Sequence, residues 1–130
     1  MLQRIVIERE HDALEACRKA RNMAQAMGFK HIAAYHIATS VSELATNLVW
    51  HGGGGVVLLS PVVQETRSGM EVTTLDEGPG IVDIALALSD GYSTAGGLGF
   101  GLPGVKRLMD HLEIVSTPGQ GTQVRAIKWL

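Results

Sequence analysis

Glu43 and Asn47 stand four residues apart in SELATNLVWHG (42–52), and a further carboxylate, Asp76, opens DEGPGI (76–81). On a helix, a four-residue spacing stacks two side chains on one face, about 6 Å apart along the axis. Asn47 offers a neutral oxygen. That suits Mg²⁺, which takes few protein ligands and completes its shell with phosphate oxygens and water. Glu43 offers a base for the proton of a water or a hydroxyl. His36 and Ser40 fall on the same face. The same spacing also describes an ordinary solvated helix face. In DEGPGI, Gly78 and Gly80 allow a tight bend around Pro79, which presents Asp76 at the end of a strand. Its carboxylate oxygens can accept from the exocyclic amine of adenine, although Asp is also a common opening residue of a simple turn.

A third stretch, DGYSTAGGLGFGLPGVKRLMD (90–110), concentrates the glycine. Eight of the sixteen glycines lie between Gly78 and Gly104. Bare backbone lets N–H groups approach an anion, and a following helix adds a favourable dipole. A flexible surface loop ending in a helix cap is the other reading. Gly99 to Gly104 matches GxGxxG literally. A dinucleotide fingerprint needs a strand just before it and a βαβ unit around it, and SDGYSTAGGL is no strand. No Walker A string GxxxxGK[ST] occurs, and the flanks and catalytic loop of a protein-kinase glycine loop are missing.

Taken in order, ExxxN on a helix, DxGxG after a strand and GLGFG before a helix resemble the Bergerat-fold (GHKL) ATPase family, the group of gyrase, histidine kinases and MutL. Its N box corresponds to Glu43 and Asn47. Its first glycine box corresponds to Asp76, Gly78 and Gly80, and its second to Gly97, Gly99 and Gly101 with the intervening Leu98 and Phe100. Gly119-Gln-Gly121-Thr122 is similar to the glycine–threonine element beside the adenine pocket. The resemblance spans nearly the whole chain and is nearest the small anti-sigma-factor serine kinases of the stressosome switch type. It implies ATP and Mg²⁺ as cofactors, with Mg²⁺ on Asn47, Glu43 as the catalytic base and the glycine stretch as an ATP lid in which Gly97, Gly99 and Gly101 donate backbone N–H groups. It further implies phosphorylation of a serine on a STAS-domain antagonist or scaffold protein, and partner switching toward a downstream phosphatase. Direct sigma binders of the family tend to carry an arginine before the lid glycines, where this chain has Ser93-Thr94-Ala95. His51-Gly52 is closer to those direct binders, so a sigma factor stays a possible partner. The tetraglycine 52–55 fits neither pattern. The rival readings are a direct anti-sigma factor, a histidine-kinase catalytic fragment and a non-catalytic ATP-binding module. The fragment would need a phosphoacceptor helix, and His36 lies too near Glu43 on its own helix to be the target.

These residues must be positioned by elements legible from periodicity. Residues 3–8 read as a strand. Residues 10–27 read as a helix with Ala13, Cys17, Ala20, Ala24 and Met27 on its apolar stripe, and Gly28 as its stop. Residues 31–50 read as a second helix, striped by Ala34, Ile37, Val41, Leu44 and Leu48. VVLLSPVVQ (56–64) is a strand whose Pro61 calls for an edge or a bulge. ETRSG turns into a returning strand, 70–78. Residues 81–88 are a short helix or turn. After the glycine loop come a helix over about 102–111 and two strands, 112–117 and 122–130, joined by PGQG. Leu102, Val105, Leu108 and Met109 define the buried side of that last helix, leaving Lys106 and Arg107 to solvent, phosphate or an acidic partner. The fold class expected is α/β: a two-layer sandwich of the Bergerat type, with a mixed, mostly antiparallel sheet and helices on one face.

The chain has 130 residues, the length of one domain, 1–130, with 45% apolar and 18% charged residues and a net charge of −2. That composition is globular, and with no basic stripe neither nucleic acid nor a membrane surface is an expected partner. The lone Cys17 rules out an internal disulfide and suits a reducing compartment. No signal-peptide pattern or membrane-length apolar run is present, so the expected location is the cytoplasm. The histidines form no HExxH or Cys/His pair, so no zinc site is expected. Trp50 and Trp129 could mark a protein interface or pack at a core edge.

Overall fold

The computed structural model describes residues 1–81, 84–88 and 101–130. Its elements are β1 (Gln3–Ile7), α1 (Glu10–Met27), α2 (His31–Trp50), β2 (Gly55–Gln64), β3 (Arg67–Leu75), α3 (Ile84–Ala87), α4 (Leu102–Leu108), β4 (His111–Thr117) and β5 (Gly121–Trp129). The strands form one sheet in the order β1-β2-β3-β5-β4, and every pairing is antiparallel.

Register decides which side of the sheet holds the core, because opposed residues share a face. Ile5 pairs with Val57, Leu59 with Val72, Val72 with Ala126 and Ala126 with Leu112. These residues belong to one hydrophobic cluster with Ile37, Val41, Leu44 and Leu48 of α2. The opposite face carries Glu71, Arg125 and Glu113, joined by an Arg125 Nε–Glu71 Oε2 ion pair of 2.7 Å, along with the exposed Val6 and Val115. The two long helices therefore cover one face only.

All five residues expected on the α2 stripe are buried. On α1 the buried line is Ala13, Ala16, Ala20, Met23 and Ala24. Cys17 lies at its margin, only partly buried, with its thiol pushed up by desolvation. The hairpin turns at Glu65 and Thr66 alone, with Gln64 opposite Arg67, so β3 starts earlier than residue 70 and ends before Asp76. Glu65 takes the left-handed φ of 56° that so short a loop demands. β2 is not an edge strand. β1 stops at Leu59 in the register, and Pro61 lies beyond it, so the missing N–H falls where no β1 partner exists. The helix expected to reach 111 ends at Leu108, because His111 already pairs with Ile127.

α1 begins with a carboxylate cap. Asp12 Oδ2 accepts from Glu8 N–H at 2.9 Å and from Arg9 N–H at 3.0 Å, two donors near the helix start. These bonds, Glu8's first, hold the Asp12 carboxyl below its ordinary value of 3.8. A folded-state value below the unfolded one stabilises the fold above the unfolded value, and the contribution is lost as pH falls through the folded value. Asp12→Ala should therefore lower the thermal midpoint at neutral pH. The deficit should shrink in acid below the carboxylate range, as followed by circular dichroism.

Candidate functional site

A cavity of about 120 Å³ opens where the end of α2, the end of β3, the start of α4 and the start of β5 meet. Its apolar walls are Leu44 and Leu48 of α2, Ile81, Leu102 of α4 and Val124 of β5. Its polar positions are Asn47, His51, Thr74, Asp76 and Thr122. An apolar slot with a few placed polar groups is the form of a site for a flat, largely apolar ring carrying hydrogen-bonding edges.

Asp76 is fixed by backbone. Its Oδ1 accepts from Gly78 N–H at 2.9 Å and Thr122 N–H at 3.2 Å, while its own N–H donates to Thr122 O at 3.0 Å. Oδ2 takes no protein donor among the described residues. The carboxylate thus has one oxygen committed to the fold and one without a donor among the described residues.

Gly52, the first residue of the tetraglycine, acquires its reason here. α2 ends with His51 and Gly52 N–H groups both on Asn47 O, at 2.9 and 3.1 Å. That brings Gly52 over Asp76, where a Cβ on Gly52 would stand 2.9 Å from Asp76 Cβ and Cγ. Any side chain at this position would push the carboxylate out of place. Gly78 in turn lies against Gly52, leaving 2.8 Å between its own would-be Cβ and the Gly52 carbonyl oxygen.

The wall formed by Pro79, Gly80 and Ile81 is clamped to the β4–β5 turn by a residue the sequence did not single out. Ser116 Oγ accepts from Ile81 N–H at 2.6 Å and lies 2.8 Å from Thr122 Oγ1. Gly119 N–H donates to Pro79 O at 2.7 Å. Only the register that places Ser116 opposite Thr122 could have pointed to it. Ser116→Ala leaves Ile81 N–H without its acceptor, a loss of about 1–2 kcal/mol. The thermal midpoint followed by circular dichroism should fall accordingly.

Glu43 does not line the cavity. It is exposed on α2, one turn before Asn47. Gly101, the residue preceding α4, sits directly against its carboxylate with φ 63°, a conformation and a proximity that both require glycine. Asp76 and Asn47 therefore both line the cavity, and Glu43 stands outside it, on the side where α4 begins. Gly80 and Thr122 line the cavity and Gly78 lies beside it. Gly97, Leu98, Gly99 and Phe100 lie outside the described residues. Ser40, expected on the Glu43 face, is fully buried, and its hydroxyl has no partner among the described residues. Lys106 and Arg107 are exposed on the last turn of α4, away from its start. Trp50 is exposed, and Trp129 lies under the Arg67 guanidinium at 4.2 Å.

Known proteins match this arrangement. The family described as the histidine kinase-like ATPase domain matches residues 8–128. The serine/threonine-protein kinase RsbT of Bacillus subtilis is 44% identical over 121 residues, covering 93% of this chain and 91% of that protein. The anti-sigma F factor of Thermoanaerobacter sp. (strain X514) is 36% identical over 102 residues, covering 72% of this chain and 68% of that protein. The histidine kinase domain of the blue-light activated histidine kinase from Erythrobacter litoralis EL346 shares the fold. That match has a TM-score of 0.55 at 24% identity over 92% of this chain, which spans 59% of that structure's length. No described helix is long and apolar enough to cross a membrane.

Proposed function

This chain belongs to the histidine kinase-like ATPase domain family, and from that membership we propose that it is an ATP- and Mg²⁺-dependent serine/threonine protein kinase. Its substrate is a serine of a STAS-domain antagonist or scaffold protein. It works by partner switching in a bacterial stress-response pathway, in the cytoplasm, and phosphorylation of the scaffold frees it to engage a downstream phosphatase. The observation that carries the reading is the convergence of Asp76 and Asn47 on one cavity, with Glu43 one turn before Asn47 on the same helix. The 44% identity to a serine/threonine-protein kinase supports it.

The residues present fit the groups this chemistry needs. Adenine suits the slot between Leu48, Ile81 and Val124, with Asp76 Oδ2 accepting from its exocyclic amine. Asn47 supplies a neutral oxygen to Mg²⁺ beside the phosphates, and the ion, when bound, neutralises charge on them. Glu43 takes the proton of the substrate hydroxyl. The glycines 97, 99 and 101 provide backbone N–H groups for the phosphates. Gly101 also keeps that backbone close to Glu43.

Asn47→Ala should remove the part of ATP affinity that depends on Mg²⁺, at least about tenfold on the scale of lost metal contacts. The check is ATP titration with and without a chelator. Equal Mg²⁺ dependence in the variant and the parent chain would take Asn47 out of the metal site. The kinase reading itself is tested by incubating the chain with γ-labelled ATP and purified STAS-domain proteins, where label should move to one of them.

A second reading has its own support: the 36% identity to an anti-sigma F factor and the His51-Gly52 pair. On it the chain also holds a sigma subunit directly. Pulldown with a sigma factor against pulldown with a STAS-domain protein separates the two.

A further inference from the structure

α2 has a feature that nucleotide binding does not use. Along its twenty residues it carries no Lys, Arg or Asp and one carboxylate, Glu43. The outward face of a surface helix is ordinarily lined with charge. Here it carries exposed apolar residues instead. Ile32 is 70% exposed and Trp50 64%. At 100° per residue, both point within about 20° of the Glu43 direction, Ile32 about 16 Å before it along the axis and Trp50 about 10 Å after it. Tyr35, also 64% exposed, flanks the line about 80° away. The result is a ridge without Lys, Arg or Asp, apolar at both ends, with the half-buried His36 and the proposed base Glu43 between them.

We infer that this ridge is the docking surface for the protein substrate, a folded protein presenting its serine or threonine hydroxyl amid an apolar, largely uncharged surface. The inference rests on the kinase reading, because it takes Glu43 as the group the hydroxyl must reach. A folded protein that delivers a hydroxyl to Glu43 comes within reach of the exposed residues on the same face of α2, so the ridge is continuous with the proposed site of transfer. Ile32 and Trp50 then act as apolar anchors at either end, the residue types that dominate such contacts when desolvated. Apart from Glu43 and the imidazole of His36 the ridge has no group to pair with charge, so recognition by a run of acidic or basic residues does not suit it.

The test uses a STAS-domain protein that the parent chain phosphorylates, with initial rates measured against its concentration. Ile32→Asp and Trp50→Ser should each raise KM for the protein substrate about tenfold or more. KM for ATP and the rate at saturation should stay within about twofold, the pattern of lost uniform binding. Val63→Asp is the control. Val63 is equally exposed at 71%, and it lies at the far end of the β2–β3 hairpin, about 25 Å along the strand from Gly55. It should change nothing. Unchanged KM in both ridge variants, with transfer intact, overturns the docking surface and leaves the kinase reading standing. A shift in the sedimentation of the isolated chain on Ile32→Asp would make the ridge a contact between copies and also overturns it. If the parent chain labels no STAS-domain protein, the kinase reading fails first.

Discussion

Glu43→Gln will bind ATP and its protein partner normally yet transfer phosphate at least about a hundredfold more slowly, within the range general bases contribute. Gln is nearly isosteric with Glu, and the carboxylate makes no hydrogen bond within the fold among the described residues, so the variant has no structural reason to unfold. Its Oε2 lies against Gly101, where the shape of Gln is tolerated and only the basicity is lost. Nucleotide affinity should hold, because Glu43 stands outside the cavity that Asp76 and Asn47 line. The measurement is a single-turnover rate beside a binding titration for both nucleotide and partner. Turnover within a few-fold of the parent chain would remove Glu43 from the chemistry, while loss of nucleotide binding would make it a ligand contact instead.

Asp76→Asn should leave the fold intact and weaken ATP by roughly ten- to a hundredfold. The argument lies in how the two carboxylate oxygens are divided. The amide oxygen of Asn can take over the bonds from Gly78 and Thr122 N–H that Oδ1 now accepts. The amide nitrogen then replaces Oδ2 and presents a donor to the donor amine of adenine. A hydrogen bond to a charged group contributes about 1.5–3 kcal/mol, and each 1.4 kcal/mol is tenfold in affinity. Selectivity for ATP over ITP, whose ring carries a carbonyl in place of the amine, should narrow in the variant. Unchanged ATP affinity with an unchanged melting temperature would mean that Asp76 serves only the turn it closes.

Much of this arrangement was legible in the chain before its structure. The bounds of α1 and α2 follow from their apolar period, because a helix facing a sheet must repeat its stripe every three to four residues. The pairing of Asn47 with Asp76 was readable only through their place in an ordered set of motifs, since each motif alone describes an ordinary turn or helix face. What was not legible depends on contacts between distant segments. Ser40 sits on the polar side by angle alone, yet the packed fold buries it completely. Ser116 gains its role only when the β4–β5 register sets it opposite Thr122. Gly52 reads as part of a flexible run until Asp76 is found packed against it. Pro61 suggested an edge strand, but the length of β1, which nothing near Pro61 encodes, meets that requirement instead.

The most direct measurement of the central claim is the identity of the phosphorylated residue after the chain is incubated with γ-labelled ATP, Mg²⁺ and STAS-domain proteins. The account predicts acid-stable label on a serine or threonine of one STAS-domain protein, strongly reduced with Glu43→Gln. Label that is acid-labile and carried on a histidine, or ATP that binds without any transfer, would contradict it.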